Sequence, residues 1–324
     1  EGKTFFITGA SGSLGNALIK KYIDKNKIIC FSRDDEKHWQ MALKYKNDNL
    51  KFIIGDVRDY NRIELSILRT KPDIIINAAA CKRVDIAEYE TQECMAVNFT
   101  GLVNICDCVE RNNNVLTNLE CVLQISTDKA CSPINTYGCS KQLAEKYIIE
   151  KAFKNPDINF KVVRYGNIIN SRMSIIPILH NQGSDPDITH FTLTSDKMTR
   201  FYMTIEQSCD LIEHTIKYAE SGDIVIPSLI SMRIVDLFEI YSELYGKPIK
   251  ITGLRSGEKI LESLINETQS MSTIQSDCKQ YYYIKPFYKN ICDVDNAVDY
   301  NSKINPLDKE SLRKYLDSIG MLKK

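Results

Sequence analysis

Six short, almost wholly apolar runs, residues 4–8, 27–31, 51–54, 73–77, 121–126 and 161–164, recur through the first half of the chain with helix-patterned stretches between them. A strand that is apolar along its whole length, and not only at alternate positions, needs cover on both faces, as in a parallel sheet flanked by crossover helices. The expectation is an α/β fold, a doubly wound parallel sheet of Rossmann type. Helices are expected after Gly15, over 59–69 and, as one long element, over 87–111, with a polar surface loop at 112–118. Beyond about residue 170 the alternation weakens and Gly, Pro, Asp and Ser gather, as at 181–187. The 324 residues thus divide into a nucleotide-binding domain, 1–170, and a smaller lobe, 171–324. From that lobe a helix at 204–218 and a strand at 223–227 are placed to return to the main sheet.

Directly after the first run, Thr8, Gly9, Gly12 and Gly15 form T-G-x-x-G-x-x-G ahead of a helix. Glycine there permits a tight turn, close approach of a pyrophosphate and close helix–strand packing, while the helix N-terminus attracts the anion. Ser11, Ser13 and Leu14 belong to the same loop and are expected beside the cofactor. The second run ends in Ser32-Arg33-Asp34, with Lys37 one turn on. A guanidinium grips a 2′-phosphate through paired bonds, so the expected dinucleotide is NADP, not NAD. After the third run Asp56 and Val57 are placed to meet an adenine edge; Ala78 and Ala79, with Ala80, keep side chains small beside the dinucleotide.

The fifth run closes on Ser126-Thr127-Asp128-Lys129, and Tyr137 and Lys141 follow, four apart on one helical face. A tyrosine near its usual pKa of about 10 is a poor base at neutral pH. The Lys141 ammonium and a positive nicotinamide are expected to favour its phenolate.

The glycine triplet with Y-x-x-x-K resembles the extended short-chain dehydrogenase/reductases. More narrowly, Ser126-Thr127-Asp128-Lys129-Ala130, Pro133-Ile134-Asn135, Tyr137-Gly138, Arg164-Tyr165-Gly166-Asn167, Met198-Thr199-Arg200-Phe201 and Arg255-Ser256-Gly257-Glu258-Lys259 resemble the inverting UDP-N-acetylglucosamine 4,6-dehydratases, nearly end to end. The chain departs from their pattern at Arg83, Met173 and Ser256, where histidine, glycine and proline are usual; these positions bear on the sugar pocket.

The resemblance implies that Tyr137 takes the proton of the sugar 4-hydroxyl as hydride leaves C4 for NADP, with Thr127 positioning that hydroxyl. Lys129 would then be the base at C5 and Asp128 the acid at the C6 hydroxyl; water leaves and hydride returns to C6. Lys129 acts as a base only when neutral, so desolvation and nearby positive charge, Lys82 included, are expected to lower its pKa. Ser126, Tyr137 and Lys141 would also face the cofactor. Arg200 and Arg255 would hold the UDP phosphates and nearby ribose, with Glu258 accepting from a ribose hydroxyl. Lys82, Asn167, Arg172 and Thr194 match substrate or cofactor contacts.

With 42 basic and 42 acidic residues the net charge is zero, so no nucleic-acid or membrane partner is expected. Eleven cysteines without a C-x-x-C pair read as reduced thiols, and four histidines at no metal spacing argue against a metal site. No apolar run approaches the roughly 20 residues of a membrane helix, so a cytoplasmic protein is expected. The expected partners are a UDP-sugar and further copies of the chain, as a dimer or hexamer. The same scaffold also serves 4-epimerases and retaining 4,6-dehydratases. Asp128-Lys129 argues against the first, and Tyr137 against those of the second that carry methionine there. A silent NADP-binding regulator would have lost Tyr137 or Lys141, and both are present.

Overall fold

The structure, a computed structural model, describes residues 1–171, 174–289 and 299–323. The six apolar runs form β1 (Thr4–Thr8), β2 (Lys27–Ser32), β3 (Leu50–Ile54), β4 (Ile74–Asn77), β5 (Cys121–Ile125) and β6 (Phe160–Val163). They are parallel and stand in the order β3-β2-β1-β4-β5-β6. For β1, β2, β4, β5 and β6 the apolarity has the expected cause, while β3, at the edge, is only partly covered, with Lys51 and Ile54 exposed. Phe6, Ile29, Ile75 and Val122 pack against helices Tyr60–Thr70, Gly101–Arg111 and Thr136–Lys154. Phe5, Ile7, Ile28 and Ile74 pack on the opposite face, against helices Ser13–Tyr22 and Ile205–Tyr218.

The chain does return from the second lobe. Strand Ile224–Pro227 adds parallel to β6, and Tyr281–Ile284 and then Thr273–Gln275 extend the edge antiparallel, which makes nine strands among the described residues. The rest of the lobe has its own core, in which Phe191, Leu179, Phe238, Tyr241 and Leu312 are buried. Among the described residues no helix is long and apolar enough to cross a membrane, and no group of side chains could hold a metal ion.

The single helix expected over 87–111 is broken. It runs as Val84–Tyr89, Thr91–Met95, a π turn Ala96–Thr100, and Gly101–Arg111. The backbone leaves helical geometry at Glu90, φ −110° and ψ 50°, and the π turn carries Asn98, a fully buried amide. Its Oδ1 accepts from the Cys81 amide at 2.8 Å, and its Nδ2 donates to the Cys81 carbonyl at 3.1 Å and to Ser140 Oγ at 2.9 Å. A π turn widens the helix locally and re-aims a side chain. Here it ties the segment after β4 to the helix bearing Tyr137 and Lys141.

Candidate active site

The strand order reverses between β1 and β4, and a cleft of about 890 Å³ opens over their carboxyl ends, closed on its other side by the second lobe. Such a reversal is where doubly wound sheets bind ligands. The strand ends there are held by a buried polar chain: Thr8 Oγ1 donates to Asn77 Oδ1 at 2.6 Å, and Asn77 Nδ2 to Gln124 Oε1 at 2.7 Å. The Ala79 amide closes it, donating to Thr8 Oγ1 at 3.1 Å.

Gly9, Ser11, Gly12, Ser13, Leu14 and Gly15 border one end of the cleft, facing Ala78 and Ala79. Gly9 has φ +65°, and a Cβ there would lie 2.8 Å from the Ala79 backbone, so both turn and contact demand glycine. Helix Ser13–Tyr22 begins at Gly12 with no side-chain cap, and a helix N-terminus favours an anion. These features fit a dinucleotide pyrophosphate.

The adenosine end differs from expectation. Lys37 borders the cleft; Ser32, Arg33, Asp34, Asp56 and Val57 do not. Arg33 is 62% exposed and leans toward Asp56 at 3.6 Å and Glu93 at 3.8 Å. Asp34 caps its helix by accepting from the Lys37 amide at 2.9 Å and pairs with the Lys37 ammonium. Ser32 shares a 2.6 Å hydrogen bond with His38. The Val57 side chain is buried in the core, in the space that the missing side chain of Gly101 leaves.

At the other end, β5 stops at Ile125 and the chain enters a single 3-10 turn, Asp128–Ala130. A turn, unlike a strand, lets adjacent side chains act on one point. Lys129 Nζ donates to Asp128 Oδ1 at 2.9 Å and to Asn167 Oδ1 at 3.4 Å. Thr127 Oγ1 donates to Asp128 Oδ1 at 2.9 Å. Helix Thr136–Lys154 is capped by Asn135 and presses so close to this turn that a Cβ at Gly138 would sit 2.3 Å from the Lys129 carbonyl. Tyr137 thereby lies beside the turn, buried and hydrogen-bonded to Thr127.

Two expectations about charge are corrected. Burial pushes the Tyr137 phenol up to about 12, and the groups that pull it back are Lys129 and the Thr127 hydroxyl, not Lys141. The Lys141 ammonium donates to the Ile125 carbonyl at 3.0 Å, and burial pulls its pKa down to about 8. Lys129 shifts the opposite way from expectation. Burial disfavours its charge, but the carboxylates of Asp128 and Glu262 outweigh that and raise its pKa.

Ser126 borders the cleft, yet its hydroxyl donates to Glu145 at 2.5 Å. Glu145 is held in turn by the fully buried Arg164, at 2.9 and 2.6 Å. Lys82, after β4, and Asn167 border the cleft, as do Thr194, Arg200, Arg255 and Glu258 from the lobe. Arg200 donates to the carbonyls of Thr199, Lys259 and Ile260 at 2.7, 2.7 and 3.2 Å, and so braces the loop that carries Arg255 and Glu258. The Arg255 amide donates to Glu258 Oε2 at 3.0 Å, and Asn135 Nδ2 reaches the Gly257 carbonyl at 2.8 Å. Thr194 Oγ1 lies 3.1 Å from Met198 sulfur. Arg172 falls outside the described residues.

Sequence reading missed Glu262 and Asn98. Glu262 sits three residues past Lys259, buried, with Oε1 3.9 Å from Lys129 Nζ. The only local signal was an acidic residue inside an apolar stretch.

The sequence profile of a family described as "Polysaccharide biosynthesis protein" matches residues 5–286. A UDP-N-acetylglucosamine 4,6-dehydratase (inverting) from Campylobacter jejuni is 34% identical over 305 residues, 93% of this chain and 87% of that one. A UDP-glucose 4-epimerase from Rickettsia felis is also 34% identical, over 319 residues, 93% of this chain and 91% of that one. The X-ray structure of Pen from Bacillus thuringiensis, 27% identical, superposes with a TM-score of 0.90 over 100% of this chain and 99% of its own. A profile match over most of the length, on a sheet and glycine loop of the extended short-chain dehydrogenase/reductase kind, makes this chain a member of the polysaccharide biosynthesis protein family.

Proposed function

We propose that the protein is an inverting 4,6-dehydratase of UDP-N-acetylglucosamine, with NADP as its resident dinucleotide. One observation carries this reading: Lys129 borders the same cleft as Tyr137 and is in contact, at 2.9 Å, with the fully buried Asp128. An epimerase working through oxidation at C4 needs Tyr137 and Lys141 alone. Loss of water needs an acid and a base as well.

Gly9, Gly12 and Gly15 would hold the pyrophosphate, Lys141 would face the nicotinamide end, and Arg33 with Lys37 would take the 2′-phosphate from their present carboxylate partners. When bound, the dinucleotide supplies the hydride acceptor and donor. Arg255 and Glu258 would hold the UDP portion. Tyr137 accepts the proton of the 4-hydroxyl, helped by Lys129 and by the hydrogen bond of Thr127.

A 4-ketone acidifies the C5 proton, but a protonated Lys129 cannot remove it. The 2.9 Å contact offers a route: one proton passes from Nζ to Asp128 Oδ1 and creates a neutral amine and a neutral carboxyl together. A dry site opposes isolated charge and so eases that transfer. The amine then takes the C5 proton as the carboxyl protonates the departing C6 hydroxyl.

Incubation with UDP-N-acetylglucosamine and UDP-glucose in heavy water, read by NMR and mass, tests the reading. The expected product has lost one water, carries deuterium at C5 and has the L-arabino configuration. A C4 epimer with no water lost would make the protein an epimerase, and an unchanged C5 configuration would make it a retaining enzyme.

A further inference from the structure

Inversion poses a problem that Asp128 and Lys129 alone do not solve. When the C5–H bond breaks, its electron pair enters the C5–C6 double bond, the C6–O bond breaks, water leaves with the Asp128 proton, and a new N–H bond holds the C5 proton on Lys129. That ammonium now faces C5 from the side the proton left. Returning it would restore the original configuration.

Resting on the dehydratase reading above, we propose that Glu262 is a positioning residue that keeps the captured proton on Lys129, and thereby makes the reaction inverting. Once Asp128 has given up its proton, Lys129 Nζ lies between two carboxylates, Asp128 Oδ1 at 2.9 Å and Glu262 Oε1 at 3.9 Å, with Asn167 Oδ1 at 3.4 Å. Glu262 is anchored for this: its amide donates to Ser302 Oγ at 3.1 Å, and its carbonyl accepts from the Ser302 amide at 2.8 Å. Its side chain is 4% exposed, where a charge is poorly screened. The charged groups that face it are Lys129 and Asp128 from the turn after β5, Arg200 from strand Thr199–Met203 and Lys259 from its own loop, 3.7 Å away. Burial, with the Asp128 carboxylate, raises the Glu262 pKa on balance against the three cations that lower it; Asp128 and Glu262 together hold Lys129 protonated despite burial. A firmly held proton is a poor one to give back, so C5 is left to a donor on the other face.

The test is the product of Glu262→Gln made from UDP-N-acetylglucosamine in heavy water, sampled early and read by NMR for configuration and deuterium at C5. Wild type should give the inverted, deuterated product alone. Glu262→Gln should still dehydrate, but with at least about one molecule in ten retaining its configuration and carrying the original protium, since a neighbouring charge at this range governs proton affinity more than tenfold. Glu262→Asp, which keeps the charge, should leak less. Glu262→Gln giving only inverted, deuterated product, or failing to dehydrate at all, would overturn the proposal, as would an equal leak from Glu262→Asp. Wild type that dehydrates none of the UDP-sugars would instead overturn the dehydratase reading.

Discussion

The turn after β5 and the end of β2 hold similar residues in opposite circumstances. At the β5 end Lys129, Asp128 and Glu262 are 17%, 0% and 4% exposed. At the β2 end Arg33, Lys37 and Asp34 are 62%, 38% and 34% exposed. Solvated pairs are worth little and exchange partners readily, which suits a site where a ligand phosphate would replace a carboxylate. Buried pairs cannot rearrange cheaply, and they move proton affinities instead. On the proposed reading the same chemistry would serve binding at one end and proton transfer at the other, and burial would make the difference.

Substitutions should separate the two ends sharply. Tyr137→Phe should lower kcat by about 10³-fold or more while leaving NADP affinity unchanged, because it removes the proton acceptor and no phosphate contact. Turnover within tenfold of wild type, in steady-state assays beside cofactor titration, would sink that role. Behind the buried end, Glu145→Gln should cost about 3–5 kcal/mol by leaving the Arg164 guanidinium charged and unpaired, measured by urea unfolding. A loss under about 1 kcal/mol would mean that this pair behaves like the solvated ones.

The pH dependence has a sign that follows from the buried end. On the proposed reading, oxidation at C4 needs phenolate on Tyr137, whose pKa is pushed up to about 12, and ammonium at the nicotinamide end on Lys141, whose pKa is pulled down to about 8. Below pH 8 each upward step deprotonates more Tyr137 while Lys141 stays charged, so kcat/KM rises. Between 8 and 12 the gain on tyrosine is cancelled by the loss on lysine, and the profile flattens. Lys141→Arg keeps its charge and should carry the rise beyond 8; an identical bend in wild type and variant would assign it to another group. The smallest effect is expected at the exposed end. Arg33→Ala should weaken NADP by about tenfold and NAD hardly at all, by titration of both, since only NADP carries the 2′-phosphate. Equal losses for both would leave Arg33 a surface charge.

What was legible in the chain follows the same division between local and distant causes. Five buried strands and the glycine turn announce themselves because a two-face-covered strand must be apolar and a tight turn must be glycine. Asp128, Lys129, Tyr137 and Lys141 are close in sequence, so their spacing already brought them together. Glu262 reaches Lys129 only through the returning lobe, and no local pattern marks it. Asn98 was hidden for a related reason: the apolar rhythm over 87–111 is helical, and the partners of its amide, Cys81 and Ser140, lie outside that stretch. The direction of the Lys129 shift needed the carboxylate count around it, which is a tertiary fact. Strands Thr273–Gln275 and Tyr281–Ile284 join the sheet at its outer edge, where short, half-buried strands lack the uniform apolarity of the central ones.

The place of strand Ile224–Pro227 in the sheet bears on how the chain is made. Synthesis delivers β1 to β6 first, and those strands with their helices can assemble while the rest is still to come. Until Ile224 emerges, β6 is the sheet's edge, and its sequence Phe-Lys-Val-Val presents open backbone groups and apolar side chains. An uncapped apolar edge is a template for pairing with another chain. Translation that halts between Val163 and Ile224 should therefore release a sticky fragment, one that a cell must shield or destroy.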